Sequence, residues 1–332
     1  MTLSITRRAF ALSVAALSFL GAAPIHAQDA GTAWKPTGPV NILMHTKPGG
    51  TADIFIRTLA AELEPMIGQP LVVQNLPGGS GALQMTQVRK AAPDGQTLAI
   101  NTLSHFTGML TNLKGVFAPE DFSWIAGAQV DPILMFAREG DPINSIDALV
   151  AQAKERGDGV INIGGFGPVG SMQNIGINMF EKSAGIRLNW VPFEATPDIM
   201  TALLGGHVDI GVSNLGPTLP FFESGRLTSL AILGPERLES LPDIPTVNEA
   251  GYPVNTDWVQ VRGIFGPEGM DPELQQQIAD AFHAAMKSDS YQEYAKRTGV
   301  EDSEMGPEAY SAFVTEIMTV AEDNLRAQNV IQ

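Results

Sequence analysis

Short apolar runs alternate with stretches of helical periodicity along most of this chain. Positions 40–44, 71–74, 97–101, 133–136, 160–163, 188–191, 208–212 and 229–233 read as brief buried strands. Between them, Phe55, Leu59, Leu63 and Met66 recur at spacings of four and three, which is one face of a helix. Positions 146–154, 173–184 and 197–204 follow the same rule. Strands alternating with helices predict parallel sheets in an α/β fold. After Gly266-Pro267 the pattern turns helical, over 272–286, 290–298 and 307–327. Pro272 and Pro307 stand where a first helical turn accepts proline. No 20–50-residue period argues for a solenoid. The absence of a low-complexity linker predicts two domains joined by crossing strands, one of them built from both ends of the chain.

The N-terminus departs from this pattern. Arg7 and Arg8 precede an apolar run from Ala9 to Ala23, and small residues lead to Ile25-His26-Ala27. The run is shorter than the ~20 residues that span a bilayer. It has the layout of a secretory signal peptide, cleaved near Ala27, against the alternative of a buried N-terminal helix. Thr6-Arg7-Arg8-Ala9-Phe10 also fits a twin-arginine signal loosely, so the export route stays open. The remaining 305 residues suit two domains.

Charge and composition remove several function classes. The 332-residue chain carries 20 basic and 36 acidic residues, a net −16, and −18 once the two leader arginines are set aside. Nucleic acid is not expected as a partner, because phosphate binding needs clustered cations. With no cysteine there is no disulfide, thiolate metal site or lipoprotein anchor. An anionic ligand would have to be held by local donors against a repulsive mean field.

Two turns supply such donors. Thr46-Lys47-Pro48-Gly49-Gly50-Thr51-Ala52-Asp53 and Gly164-Gly165-Phe166-Gly167-Pro168-Val169-Gly170-Ser171 each follow a strand and open a helix. Helix N-termini leave N–H groups unpaired and carry partial positive charge, and glycine lets that backbone approach a ligand. Such turns can bind an anion without lysine or arginine, and in parallel sheets they lie where ligands bind. The plain alternative is that the glycines only make tight turns. Gly165-x-Gly167-x-x-Gly170 also matches a dinucleotide fingerprint, but Pro168 and the loosely placed acid Glu194 fit it poorly.

Enzyme constellations are sparse. His26, His45, His105, His207 and His283 form no close metal-ligand pair, and Gly78-x-Ser80 lacks the second glycine of a nucleophile elbow. Asp53 and Glu194 are the one candidate acid/base pair of an exported hydrolase. Asp53 equally suits a helix cap or first turn. Phe166 and Phe193 either wall an organic ligand or pack in the core.

A series of short motifs runs in order along nearly the whole chain after the leader. It begins Pro48-Gly49-Gly50-x-x-Asp53, Asn75-Leu76-Pro77-Gly78-Gly79-Ser80-Gly81 and Pro93-Asp94-Gly95-x-Thr97-Leu98. It continues through Gly165-x-Gly167, Val191-Pro192-Phe193, Leu204-Gly205-Gly206-His207-Val208-Asp209 and Gly225-Arg226-Leu227. It closes with Pro242-Asp243-Ile244-Pro245-Thr246-Val247-x-Glu249-Ala250-Gly251. In these the chain resembles the substrate-binding proteins of tripartite tricarboxylate transporters, the periplasmic Bug receptors. Leu204-to-Ser213 and Arg262-Gly263-Ile264-Phe265 look closest to the tricarboxylate-binding branch.

The resemblance implies a type II periplasmic-binding-protein fold, with residues 28–134 and 256–332 as lobe one and 135–255 as lobe two. It implies a monomeric, cofactor-free, non-enzymatic receptor in the periplasm, passing a small di-, tri- or aromatic carboxylate to membrane permease subunits. Carried onto this chain, the ligand would meet Gly49, Gly50, Thr51 and Asp53 in lobe one and Gly165, Phe166, Gly167 and Ser171 in lobe two. Asn75, Ser104, His105, Phe193 and Asn214 sit on neighbouring turns. The main anion donors are expected at the backbone of 49–51 and 165–167. Two departures bear on the ligand: Phe193-Glu194-Ala195 puts a carboxylate where the family has small residues, and Lys47 adds a charge before Pro48. A ligand sensor docking on a signalling partner fits the same sequence. If the first turn holds the anion, Gly50→Val abolishes ligand binding in a folded protein, because its Cβ intrudes on the turn; calorimetric titration of the variant checks this.

Overall fold

The computed structural model describes residues 33–49, 51–256 and 258–332. The expected leader and Gly50 lie outside the described residues.

Two sheets organise the chain. The first contains β1 (Val40–Met44), β2 (Leu71–Asn75), β3 (Thr97–Asn101), β4 (Phe122–Asp131), β10 (Gln260–Pro267) and β11 (Glu301–Met305), in the order β11-β4-β10-β3-β1-β2. The second contains β5 (Ile133–Arg138), β6 (Asn162–Phe166), β7 (Asn189–Phe193), β8 (Ile210–Asn214) and β9 (Leu227–Leu233), in the order β7-β6-β8-β5-β9. The first sheet is thus drawn from both ends of the described chain and the second from its middle.

The helical face read from the sequence becomes α1 (Thr51–Ile67), where Phe55, Leu59 and Leu63 are buried. Local chemistry sets many helix ends. The Ser145 hydroxyl accepts from the Ala148 N–H to start α4 (Ile146–Arg156), and the Asp271 carboxylate accepts from Glu273 and Leu274 to start α8 (Pro272–Met286). Helix α5 (Met172–Ala184) starts on the Ser171 side chain and ends at left-handed Gly185. Helices α9 (Asp289–Thr298) and α10 (Pro307–Ala327) complete the C-terminal set.

The expectation of parallel sheets holds for three adjacent strands in each. β1 pairs in parallel with β2 and β3, and β6 in parallel with β7 and β8. The remaining pairings, β10 with β3 and β4, β11 with β4, and β5 with β8 and β9, are antiparallel. These sheets are therefore mixed, because the chain crosses between them. β4 leaves the first sheet, only Pro132 intervenes, and β5 enters the second. The reading of the last third as wholly helical is also corrected by β11. Its Glu-Asp-Ser-Glu-Met sequence has no apolar alternation, and the open edge of β4 recruits it.

One apolar cluster joins the two sheets, running from Leu43, Ala99 and Phe265 of the first to Met135, Ile163 and Phe180 around the second. A second cluster, with Ile42, Met44, Phe55 and Phe282, fills the opposite side of the first sheet.

At the crossing lies a buried polar knot. Arg262 of β10 and Asp131, the last residue of β4, are 3% and 1% exposed and pair at 2.5 Å. Arg262 also donates to Gln129 Oε1 at 2.5 Å, and Gln129 donates to the Tyr291 hydroxyl at 3.4 Å. The Asn214 amide, at the end of β8, donates to the carbonyl of Asp131 at 2.9 Å and of Pro132 at 3.4 Å. Removing one member of such a pair strands a buried charge. Asp131→Ala is therefore expected to cost about 3–5 kcal/mol in urea unfolding, far more than an exposed pair such as Lys296–Glu239 would.

Candidate functional site

The parallel triplets place six strand C-termini at two matching edges. In the first sheet β1 lies between β2 and β3, and in the second β6 lies between β7 and β8. Every one of these strands is followed by a turn into a helix: α1, α2 (Ala82–Lys90) and α3 (Leu103–Leu110) on one side, α5, α6 (Thr196–Leu204) and α7 (Leu215–Glu223) on the other. Helix α3 touches α5, and Asn214 reaches the crossing at Asp131, so the two edges approach each other beside the crossing. The helix N-termini collected there bring partial positive charge without arginine clusters.

In the first edge, side chains hold the loop backbone. Gly49 sits at φ 79°, in the left-handed region, and its N–H donates to Asp53 Oδ2 at 2.9 Å. Asp53 is buried; it also accepts from Arg57 Nε at 3.0 Å and, through Oδ1, from the Asn75 amide at 2.9 Å. Asn75 donates in addition to the Thr46 carbonyl at 3.0 Å. Burial alone would raise the Asp53 carboxyl. The bonds from Arg57, Gly49 and Asn75 outweigh it and hold the group below its ordinary value. Asp53 and Asn75 thus tie β1, β2 and α1 together. Thr51 heads α1, where first-turn N–H groups fall outside the helical ladder.

The third loop is tied from beneath. Buried Gln84 of α2 donates to the carbonyls of Leu43 and Ile100 at 2.7 and 2.9 Å, bridging β1 and β3. Its Oε1 lies 2.6 Å from His105 Nε2, while His105 Nδ1 accepts from the Thr102 N–H at 3.1 Å. The ring therefore carries its proton on Nε2. Above it, Ser104 Oγ and Thr102 Oγ1 are each 3.2 Å from His45 Nε2. Of the two residues expected here, Ser104 is half-buried and belongs to this hydroxyl group, whereas His105 is fully enclosed and caps α3.

In the second edge the same device recurs. The N–H of Phe166 donates to Gln173 Oε1 at 2.7 Å, that of Gly167 to the Phe193 carbonyl at 2.9 Å, and that of Gly170 to Asn174 Oδ1 at 2.9 Å. Ser171 Oγ donates to the Phe166 carbonyl at 3.0 Å. Gly165 leaves room for Trp190, since a Cβ there would sit 2.1 Å from the indole, whose Nε1 donates to the Gly167 carbonyl at 3.1 Å. Phe193 is half-buried against Gly164, and Phe166 is 46% exposed. Asn214 faces the crossing rather than standing free.

The backbone donors of Gly49, Phe166 and Gly167 are thus engaged within the protein in this conformation. Sequence reasoning passed over Gln84, Trp190, Gln173 and Asn174. Nothing local in the sequence separates Gln84, Gln173 or Asn174 from polar residues on a solvated helix face; their burial against the sheets appears only in the fold. Asp53 and Glu194 stand in different environments, one buried and paired, the other exposed, which removes the hydrolase arrangement. No group of three or more potential metal ligands occurs among the described residues.

The His105 ring has a pH signature. Burial lowers its pKa to about 4, and burial also lowers that of His45. A group depressed in the folded state stabilises fully above its unfolded value and loses that contribution as pH falls through the folded one. The melting temperature is therefore expected to decline from pH 6.5 toward pH 4. His105→Gln flattens part of that slope in a thermal-melt series across the same range.

Comparison with known proteins agrees with this architecture. The family model described as "Tripartite tricarboxylate transporter family receptor" matches residues 55–330. Protein BugT of Bordetella pertussis is 30% identical over 244 residues, covering 72% of this chain and 73% of that protein. A UPF0065 protein of Cupriavidus necator is 29% identical over 306 residues, covering 91% and 90%. The solved periplasmic binding protein BugD superposes with a TM-score of 0.75 at 27% identity, covering 89% of this chain and 99% of that one. An R. palustris protein solved with adipate gives 0.77 at 25%, covering 89% and 98%. The family is one of solute-binding receptors rather than enzymes, and this chain belongs to it.

Proposed function

We propose that this protein is an extracytoplasmic receptor that takes a small organic carboxylate between two lobes and hands it to a membrane permease. The observation that carries the reading is the pair of matched edges, each gathering three helix N-termini beside the crossing strands. Lobe one is assigned to 28–131 and 256–332 and lobe two to 133–255; the boundary expected at 134 moves to Pro132, because β5 begins at Ile133. The adipate held by the related R. palustris protein supports a carboxylate as the class of ligand. The sequence layout of residues 1–27 supports export to the periplasm.

The ligand carboxylate is assigned to the first turn of α1 at Thr51, with Gly50 before it, and the body of the ligand to the loop from Gly165 to Ser171, whose Phe166, Gly167 and Gly170 N–H groups are already engaged. Ser104 lies on the third turn of lobe one. Gly49, Asp53, Asn75, His105 and Asn214 act by holding these turns in place. Lobe closure would exchange the ligand's hydration for fixed donors that are already oriented, which lowers the ordering cost of binding.

Thermal shift of the purified protein against di-, tri-, aliphatic and aromatic carboxylates tests the reading. A cognate acid at a hundredfold excess over its Kd is expected to raise the melting temperature by roughly 5 °C. No shift across the panel, together with no retained acid in native mass spectrometry, would overturn it.

A further inference from the structure

We propose that the cleft selects acids with a single carboxylate and an apolar body, aliphatic or aromatic, over compact polycarboxylates of the citrate kind. This rests on the receptor reading above and narrows its ligand.

The first observation is charge. The six turns that follow the parallel strands cover 45–53, 75–83, 102–105, 166–174, 193–198 and 214–218. Their charged side chains are Lys47, Asp53, Glu194 and Asp198. Asp53 is neutralised by Arg57 at 3.0 Å. What remains is one cation, Lys47, against two exposed carboxylates, Glu194 and Asp198. One ligand carboxylate can be met by Lys47 and helix N-termini. A second and third find no further cation on these turns, while the exposed Glu194 and Asp198 and the negative net charge of the chain oppose them.

The second observation is apolar and independent of the first. Eight large hydrophobic side chains are exposed among the described residues, and four fall at these turns or in the first turn of their helices. They are Ile54 at 46%, Leu83 at 49%, Phe166 at 46% and Val169 at 57%. Ile54 and Leu83 stand on the first edge, Phe166 and Val169 on the second. Exposed apolar groups concentrated at a binding edge, on both of its sides, mark the surface a ligand covers. An acid with a hydrocarbon body would bury them on closure. A compact hydroxy-polycarboxylate would leave them facing its polar groups.

Calorimetric titration with hexanoate, phenylacetate, malate and citrate tests the proposal. Hexanoate or phenylacetate is expected to bind at least tenfold more tightly than malate or citrate. Phe166→Ser and Leu83→Ser, at exposed positions, are each expected to weaken the better monocarboxylate at least about fivefold, with an unchanged melting temperature. Malate or citrate binding as tightly as the monocarboxylates overturns the selectivity while leaving the receptor reading intact. Unchanged affinity in both serine variants overturns it too, and assigns the apolar side chains to a contact other than the ligand. Failure of all four acids to bind overturns the selectivity, and the receptor reading itself falls only if the wider carboxylate panel above also gives no shift in protein that carries no acid by native mass spectrometry.

Discussion

The Arg262–Asp131 pair occupies the place where the chain first passes from one sheet to the other, and Arg262 itself stands on β10, the strand by which the chain returns. Here β4 ends, Pro132 interrupts, and β5 begins in another sheet, so the backbone groups at the break have no continuous ladder to join. An apolar plug would bury that break without satisfying it. The charged pair, with Gln129 and Tyr291 behind it and Asn214 across from it, gives the crossing strands polar partners that also fix their register. The placing of the two loop-bearing edges depends on this registration, because the strand ends that carry the loops are spaced from it. The desolvation of two charges is the cost, and specificity of the crossing is the return.

The loops follow a second rule: amides and carboxylates, rather than cations, hold them. Asp53 and Asn75 hold the turn after β1, Gln84 the turns after β1 and β3, and Gln173 and Asn174 the turn after β6. These groups are neutral or internally paired, so they fix the backbone without filling the cleft with charge. The strongly acidic composition is compatible with anion binding for this reason. The field of the whole molecule opposes an anion, and oriented peptide groups act at short range where that field matters least.

Strand and helix positions were legible where side-chain burial is local. The runs at 40–44 and 97–101 matched the observed strands, as did the helices at 272–286 and 307–327. β4, β10 and β11 were not read. β4 is buried along nearly all its length and so shows no alternation, and β11 is polar and exists only because β4 offers it an edge. The Gly-rich turns were visible because glycine and proline leave a chemical mark. Their supporting glutamines and asparagines were not, because nothing local distinguishes Gln84 at a buried strand bridge from a glutamine on a solvated helix face. Asp53 shows the same limit: its position in the first turn of α1 was clear, but its bond to Asn75 depends on a strand 22 residues away.

Asn214 gives the crossing a mechanical character. One side-chain amide grips two successive carbonyls, those of Asp131 and Pro132, on the two peptides that flank Pro132, where the chain passes from the first sheet to the second. A crossing gripped on both sides of one residue would resist sliding and leave rotation to it and to the return crossing between β9 and β10, so the two sheets would move chiefly by a change of angle. Loops beside the crossings would hardly move for a given change of angle. The turn after β8, which begins at Asn214 itself, would then stay nearly in place, and the far turns would travel furthest.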